Sequence, residues 1–337
     1  MKKYLFGSKK NIYKGNLHCH SNLSDGNLSP QELKDYYKSN GYSILAITDH
    51  EHINNNSYLD DEDFLTITSC EIAIKEFLQF STIKNYDMKV CHLNLYAKDQ
   101  NNDYNVCYNE VYDRFSDINR RPSFKRPESD FVRVYGPKGI SNIIKTANEH
   151  GFFVSYNHPR WSLENYGDYY GYEGLWGVEI YNTSCNVEGY YEYDINVLDD
   201  FLRDGKRVFA TSGDDNHNRP GKVDSFGTFV MVNADTLNYD NIINSLLNGD
   251  FYTSTGPEIY EISVDGMKVC VKCSDAQRIS LSTRGRRSAS VIAEDNALLN
   301  EACFDLQTTD KYFRISILDS SGNRADSQSY FLEDFIS

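Results

Sequence analysis

The chain lacks any run approaching the roughly 18 apolar residues that would carry a helix across a membrane. Its opening stretch, MKKYLFGSKKNIYKG, also lacks the apolar core of about seven or more residues that a secretory leader needs, so a cytoplasmic protein is expected. Positive charge is in short supply: 34 Lys and Arg against 49 Asp and Glu leave a net charge of −15. A protein built to hold a nucleic-acid backbone needs a basic stripe. The short clusters Arg120/Arg121/Lys125/Arg126 and Arg284/Arg286/Arg287 do not make one, which argues against nucleic acid as the main partner. The cysteines at 19, 70, 91, 107, 185, 270, 273 and 303 lack framework spacing, and reduced thiols are expected. The one C-x-x-C, Cys270 to Cys273, falls in an apparent strand, where residues three apart face opposite sides; that argues against a zinc ribbon.

What is present is an alternation of strand-like and helix-like segments over the first 250 residues or so, the pattern of a parallel α/β architecture. Ser29-Pro-Gln-Glu32 is a capping box with proline at the first helical position, and Gly41 closes the helix. Further helices are expected at about 139–150, 192–204 and 239–248 from apolar residues at helical spacing. Between them lie seven apolar runs: NIYKGNLHCH, YSILAITDH, FLTITSCEI, KVCHLNLYA, GFFVSYNHP, LWGVEIYN and RVFATSGDDNH. Residues 98–137 break the pattern and read as an insertion, partly helical around 105–116, beside the site. After Thr255-Gly-Pro257 the alternation becomes polar/apolar with Asp-Gly and Ser-Gly turns. Two domains follow: 1–257, and a small antiparallel, sandwich-like β domain over 258–337.

Nearly every apolar run ends in or near His, Asp or Glu, and in parallel α/β barrels the strand ends meet in one place. A lone histidine is usually a packed or surface residue; six of eight at successive strand ends, interleaved with carboxylates, point to metal ligation. His18-Cys-His20 puts both imidazoles on one strand face with Cys19 turned away. Asp25, His50, Glu71, His92, His158, Asp215 and His217 complete the candidate ligands, His158 in the extended backbone that Pro159 favours. Asp49, Asn157, Glu179 and Asn182 are placed to orient them, and Arg160, Arg219 and His52 to contact substrate. Trp161 and Trp176 are candidates for the mouth or for packing.

HCHSNLSDG, ITDH, the Glu of SCEI, the His of CHLN, NHP and GDDNH occur in the order of the motifs of the polymerase-and-histidinol-phosphatase (PHP) family, which residues 16–217 therefore resemble. The resemblance implies a distorted seven-stranded (β/α) TIM-like barrel holding up to three metals. His18, His20, Glu71 and Asp215 would hold the first ion, Glu71 would bridge to a second on His92 and His158, and Asp25, His50 and His217 would hold the third. Phe251 to Pro257 also resembles the end of the barrel in members that carry a small C-terminal β domain, carbamate-cleaving hydrolases among them. Mixed imidazole and carboxylate ligands suit two to three divalent ions (Zn, Mn or Fe). Two ions sharing Glu71 would lower the pKa of a bridging water and yield a hydroxide nucleophile, with Glu71, Asp215 and His217 as catalytic residues. The excess positive charge of such a centre favours a small phosphorylated substrate, hence a phosphoesterase. An amide or carbamate hydrolase, a nuclease of short oligonucleotides and a non-catalytic metal-binding module are the alternatives, since fold alone does not choose among them.

Overall fold

Ser29 caps the first long helix from both directions: its hydroxyl accepts from the Glu32 amide, and the Glu32 carboxylate accepts from the Ser29 amide at 2.8 Å. The computed structural model describes residues 2–77, 88–113, 125–190, 193–294 and 297–335. In chain order the elements are β1 (Lys3–Phe6), β2 (Asn11–Asn16), α1 (Pro30–Ser39), β3 (Ile44–Ala46), β4 (Leu65–Ile67), β5 (Ser69–Lys75), β6 (Val90–Ala97), α2 (Pro137–Glu149), β7 (Phe152–Tyr156), α3 (Tyr166–Tyr169), β8 (Gly177–Asn182), α4 (Thr183–Glu188), α5 (Ile195–Arg203) and β9 (Phe209–Gly213). Then come β10 (Phe229–Ala234), α6 (Tyr239–Asn248), β11 (Phe251–Ser254), β12 (Ile259–Asp265), β13 (Lys268–Ala276), β14 (Arg278–Thr283), β15 (Ser288–Ile292), β16 (Leu299–Asp305), β17 (Tyr312–Leu318), β18 (Arg324–Ser327) and β19 (Tyr330–Phe331). This is a mixed α/β chain, rich in strands.

Two compact units divide it: Gly15–Gly227, and Met1–Lys14 together with Thr228–Ser337. The division differs from a boundary at 257, because β11 pairs antiparallel with both β10 and β18 and so groups with the C-terminal strands. In the first unit, Gly15 and Asn16 pair parallel with β3, and β3 with β4. A second sheet has the order β5-β6-β7-β8-β9. The fully parallel, strand-then-helix alternation expected from the sequence is corrected here. Strand β6 runs antiparallel to both neighbours, and among the described residues no α-helix separates β3, β4, β5 and β6. Reversing β6 has a consequence for function: it brings the start of that strand, with His92, beside the end of β7, where the Asn157 amide donates to the His92 carbonyl at 3.1 Å. Helix α2 buries Ile140, Ile143, Ile144 and Ala147 and packs on β7; α5 buries Val197, Leu198, Phe201 and Leu202 and packs on β8 and β9.

The insertion carries turns, not helix, over 105–113, and the rest of the helix expected there, with Arg120 and Arg121, lies outside the described residues. In the second unit, β1-β12-β13-β16 form one antiparallel sheet, and β14, β15, β17, β18 and β11 pair antiparallel in another. One apolar core, including Phe6, Ile262, Val271, Leu281, Phe313 and Ile317, runs through this unit. The thiol expectation is corrected at one pair: Cys270 and Cys303, directly opposite on β13 and β16, form a disulfide, while the other six cysteines are buried thiols. Cys273 is buried on the other face of β13, as strand alternation requires.

Asp310 anchors the turn before β17. Its carboxylate accepts from Arg287 Nε at 2.7 Å and from the Gln307 amide at 2.8 Å. Burial opposes its ionisation, but Arg287 holds its pKa below the ordinary value of 3.8. A lowered carboxyl contributes stability that is fully present above that value and is lost as pH falls through the lowered one. Asp310→Asn is expected to cost about 1–2 kcal/mol in urea denaturation at neutral pH, and clearly less near pH 3. An equal cost at both would contradict this role.

Candidate metal centre

All nine candidate ligands lie in the unit Gly15–Gly227. The chain leaves β2 through Leu17 into His18-Cys19-His20. Cys19 bridges to Asn216 and is fully buried, which turns His18 and His20 to the other side, their ring centroids 5.3 Å apart. Gly213, ending β9, lies so close that a Cβ there would sit 2.3 Å from His18 Cβ; only glycine allows the two segments to meet. The Asp49 carboxylate accepts from the Ser21 amide at 2.8 Å and the hydroxyls of Ser21 and Ser24 at 2.6 and 2.7 Å, fixing the loop that carries Asp25 against the residue preceding His50. Glu71 comes from β5, His92 from β6, His158 from the loop after β7, and Asp215 and His217 from the segment after β9.

Glu71, 1% exposed, is the hub. Its Oε1 lies 3.3 Å from His18 Nε2, 3.1 Å from His92 Nδ1 and 3.3 Å from His158 Nε2, and also accepts from Asn157 Nδ2 at 2.9 Å. Its Oε2 lies 3.1 Å from His50 Nδ1 and 3.5 Å from His20 Nε2. Asp215 Oδ1 lies 3.0 Å from His20 Nε2 and 3.3 Å from His18 Nε2. Around Asp25 Oδ1 stand His217 Nε2 at 3.3 Å, His50 Nε2 at 3.5 Å and His20 Nδ1 at 3.9 Å. Both Asp25 Oδ1 and His20 Nδ1 are buried without a hydrogen-bond partner, which is rare for polar atoms and is what a shared cation would satisfy. Four overlapping sets place ligand atoms close enough to hold an ion: His20/Asp25/His50/His217, His18/His158/Asp215, His18/His20/Glu71 and Glu71/His92/His158.

The supports are as tightly built. His18 Nδ1 faces Glu179 Oε1 at 2.9 Å, leaving Nε2 to point inward; Glu179 Oε2 accepts from the His158 amide at 3.1 Å and from Asn182 Nδ2 at 3.0 Å. Asn182 Nδ2 also donates to Asp215 Oδ2 at 3.1 Å. His217 Nδ1 faces the Asp215 carbonyl at 2.9 Å, so its Nε2 carries the free lone pair. A carboxylate beside metal-binding histidine nitrogens sets tautomer and ring orientation. The charges respond to one another. Burial opposes protonation of His50, but Glu71, Asp25 and Asp215 raise its pKa to about 9. Burial likewise opposes ionisation of Glu71, which His92 and His18 nonetheless hold well below the usual carboxylate range.

His158 corrects an expectation: it has φ 26°, not the extended backbone favoured before proline. Its amide is committed to Glu179 and its carbonyl accepts from the Ser162 amide at 3.1 Å, and these contacts override the local preference. Asp215 (φ 53°) and Glu51 (φ 65°) are also left-handed, a concentration of backbone strain of the kind found at functional sites.

A cavity of about 460 Å³ opens over these ligands. Among the described residues it is lined by Arg219, whose Nη2 donates to Asp25 Oδ2 at 2.8 Å, but by neither Arg160 nor His52. Arg160, half-exposed, faces Asp194 at 3.7 Å; His52 is buried with its Nε2 2.9 Å from Asp113. Arg160 Nη1 also lies 3.5 Å from the carbonyl of Tyr190, a residue of the cavity lining. Trp161 lines the cavity, whereas Trp176 is buried against Phe153 at 4.7 Å.

Some participants gave little sequence signal. Arg133, in the insertion, is fully buried and forks onto Glu51, Nη1 to Oε1 at 2.9 Å and Nη2 to Oε2 at 2.5 Å, while also donating to the carbonyls of Ala73 and Cys107. It ties the insertion to the residue after His50; no spacing rule links residues so far apart. Asp214 accepts from Tyr37 Oη at 2.8 Å, Thr183 Oγ1 at 2.6 Å and the Phe226 amide at 2.8 Å, which fixes the backbone before Asp215. The doubled acid in GDDNH was the available sign.

No family model matches the chain, and no curated protein does. Solved structures are similar. One is a two-domain protein containing a predicted PHP-like metal-dependent phosphoesterase from Bacteroides vulgatus, at 15% identity over 98% of this chain and 89% of that one, TM-score 0.46. Another is a putative metal-dependent phosphoesterase from Bifidobacterium adolescentis, 16% identical over 62% of this chain and 89% of that one, TM-score 0.39. A third is an amidohydrolase from Chromobacterium violaceum with bound sulfate and no metal, 14% identical over 70% and 96%, TM-score 0.41. At such scores the chemistry has to be read from the side chains themselves.

Arg133→Ala would leave Glu51 buried and unpaired. It is expected to cost about 3–5 kcal/mol in chemical denaturation, whereas the double variant Arg133→Met/Glu51→Gln recovers a large part. A loss under about 1 kcal/mol for the single variant would show that the pair does not hold this region together.

Proposed function

We propose that the chain is a metal-dependent hydrolase, and specifically a phosphoesterase for a small phosphorylated substrate. The observation that carries this reading is the crowding of five imidazoles and a second carboxylate around Glu71, with Asp25 Oδ1 and His20 Nδ1 buried and unsatisfied beside them. His18, His20, Glu71 and Asp215 would hold one divalent ion, Glu71, His92 and His158 a second, and Asp25, His50 and His217 a third. Imidazole with carboxylate suits Zn²⁺, Mn²⁺ or Fe²⁺. Such ions, when bound, supply Lewis acidity and a water of lowered pKa.

The protein's own groups do the rest. Glu71, Asp215 and His217 are the catalytic side chains of this reading; Asp49, Asn157, Glu179 and Asn182 hold ligands in register. Arg219, fixed by Asp25 at the cavity edge, offers a planar donor fork to an anion. Three carboxylates do not neutralise two or three divalent ions, so the loaded centre favours a negative substrate. The barrel reading is supported by parallel bridges His50 to Glu71 and Cys19 to Asn216, which link the ends of the two strand sets into a distorted ring. Basic side chains in the cavity, Lys75, Arg219 and Lys222, favour a phosphate ester over an amide or carbamate.

Purified protein is expected to hydrolyse phosphate monoesters, to lose that activity on chelation, and to regain it with Mn²⁺ or Zn²⁺. His158→Ala is expected to lower kcat/KM by more than about a hundredfold with circular dichroism unchanged. Activity that survives exhaustive chelation, or a metal-loaded variant with full turnover, would overturn the assignment.

A further inference from the structure

Thiol chemistry is distributed unevenly along the chain. Cys19, Cys70, Cys91, Cys107, Cys185 and Cys273 are buried, where a thiol is inert toward oxidants and alkylating reagents. The other two cysteines are joined to each other, and they stand on the outer face of the sheet β1-β12-β13-β16. Side chains alternate along both of their strands. On β13, Val269, Val271 and Cys273 enter the apolar core, while Lys268, Cys270 and Lys272 turn outward. On β16, Ala302 and Phe304 go in, while Glu301, Cys303 and Asp305 turn out. Among the described residues β16 is an edge strand of this sheet; Cys303 on it is exposed, and Cys270 on the inner strand is half-buried.

The sulfurs are not what pairs these strands. The ladder runs past them on both sides, from Lys268 opposite Asp305 to Lys272 opposite Glu301, and the core side chains lie on the other face. A disulfide inside a core is shielded from attack, whereas one on a solvent face is open to exchange with thiols. The charged groups around this one are Lys268 and Lys272 on β13, Glu301 and Asp305 on β16, and Glu261 and Asp265 on β12. They carry both signs, so access rather than charge decides which sulfur is attacked. Access favours Cys303.

We propose that Cys270–Cys303 is a thiol–disulfide exchange site, opened by a dithiol reductant through attack on Cys303 while the surrounding β unit stays folded. A thiolate of the reductant forms a bond to Cys303 Sγ. The S–S bond to Cys270 breaks, and its electron pair leaves on Cys270 Sγ, which takes up a proton. The second thiolate of the reductant then displaces Cys303 Sγ, which is protonated in turn. The protein gains two thiols, and the reductant, oxidised by two electrons, leaves as a disulfide.

The test uses the full chain with its bridge formed. The protein is treated with dithiothreitol, pulse-alkylated with iodoacetamide and mapped by peptide mass. Cys270 and Cys303 are expected to be alkylated together, at a rate proportional to dithiothreitol and unchanged by urea below the unfolding transition. That rate should lie within about tenfold of the rate for oxidised glutathione under the same conditions. The six buried thiols, Cys273 of the same strand among them, should stay unalkylated, with circular dichroism unchanged. A rate that levels off with dithiothreitol or climbs with urea would show that the bridge opens only through unfolding, and would overturn the proposal. Alkylation of Cys273 along with the pair, or loss of circular dichroism on reduction, would overturn it equally. Excess reduced glutathione in place of dithiothreitol traps the first step: glutathione is expected on Cys303 and the alkyl group on Cys270, and the reverse would contradict Cys303 as the point of attack.

Discussion

Glu71 is a carboxylate at 1% exposure with nitrogens of five histidines between 3.1 and 3.5 Å from its two oxygens. Burying a charge of this kind is costly unless it is paired. Neutral imidazoles cannot pair it fully, and five protonated ones would repel each other in a small volume. A divalent cation resolves both difficulties, because it attracts the carboxylate and takes the imidazoles in their neutral form. The strained backbone at His158 and Asp215 and the carboxylate supports at Asp49, Glu179 and Asp214 follow from the need to bring these groups so close.

The fold meets that need by letting several segments end at one place. The reversal of β6 is part of it, since it brings His92 next to the segment after β7 although His92 lies at the beginning of its own strand. The insertion contributes from outside the strand sequence, through Arg133 on Glu51 and through Tyr112 in the cavity wall. Residues that look remote in sequence are thus part of the site's support.

The helices Pro30–Ser39, Pro137–Glu149, Ile195–Arg203 and Tyr239–Asn248 were legible because capping residues and apolar spacing are local signals. The convergence of nine candidate ligands was legible because histidine and acid recur at the ends of apolar runs. Strand direction was not, since an antiparallel β6 has the same apolar pattern as a parallel one. Nor was the pairing of Cys270 with Cys303, which depends on the register of β13 against β16. The partners of Arg160 and His52 were not legible either: Asp194 and Asp113, which face them, are far from them in sequence.

The ion cluster is the central claim, and counting ions at known positions tests it most directly. Crystals of protein purified without chelator, measured on both sides of the Zn, Fe and Mn absorption edges, locate each metal and identify it. The account predicts two or three ions of full occupancy within the nine ligands, with Glu71 shared between two of them. No anomalous density there, or ions bound elsewhere while Glu71 keeps only histidine partners, would contradict it.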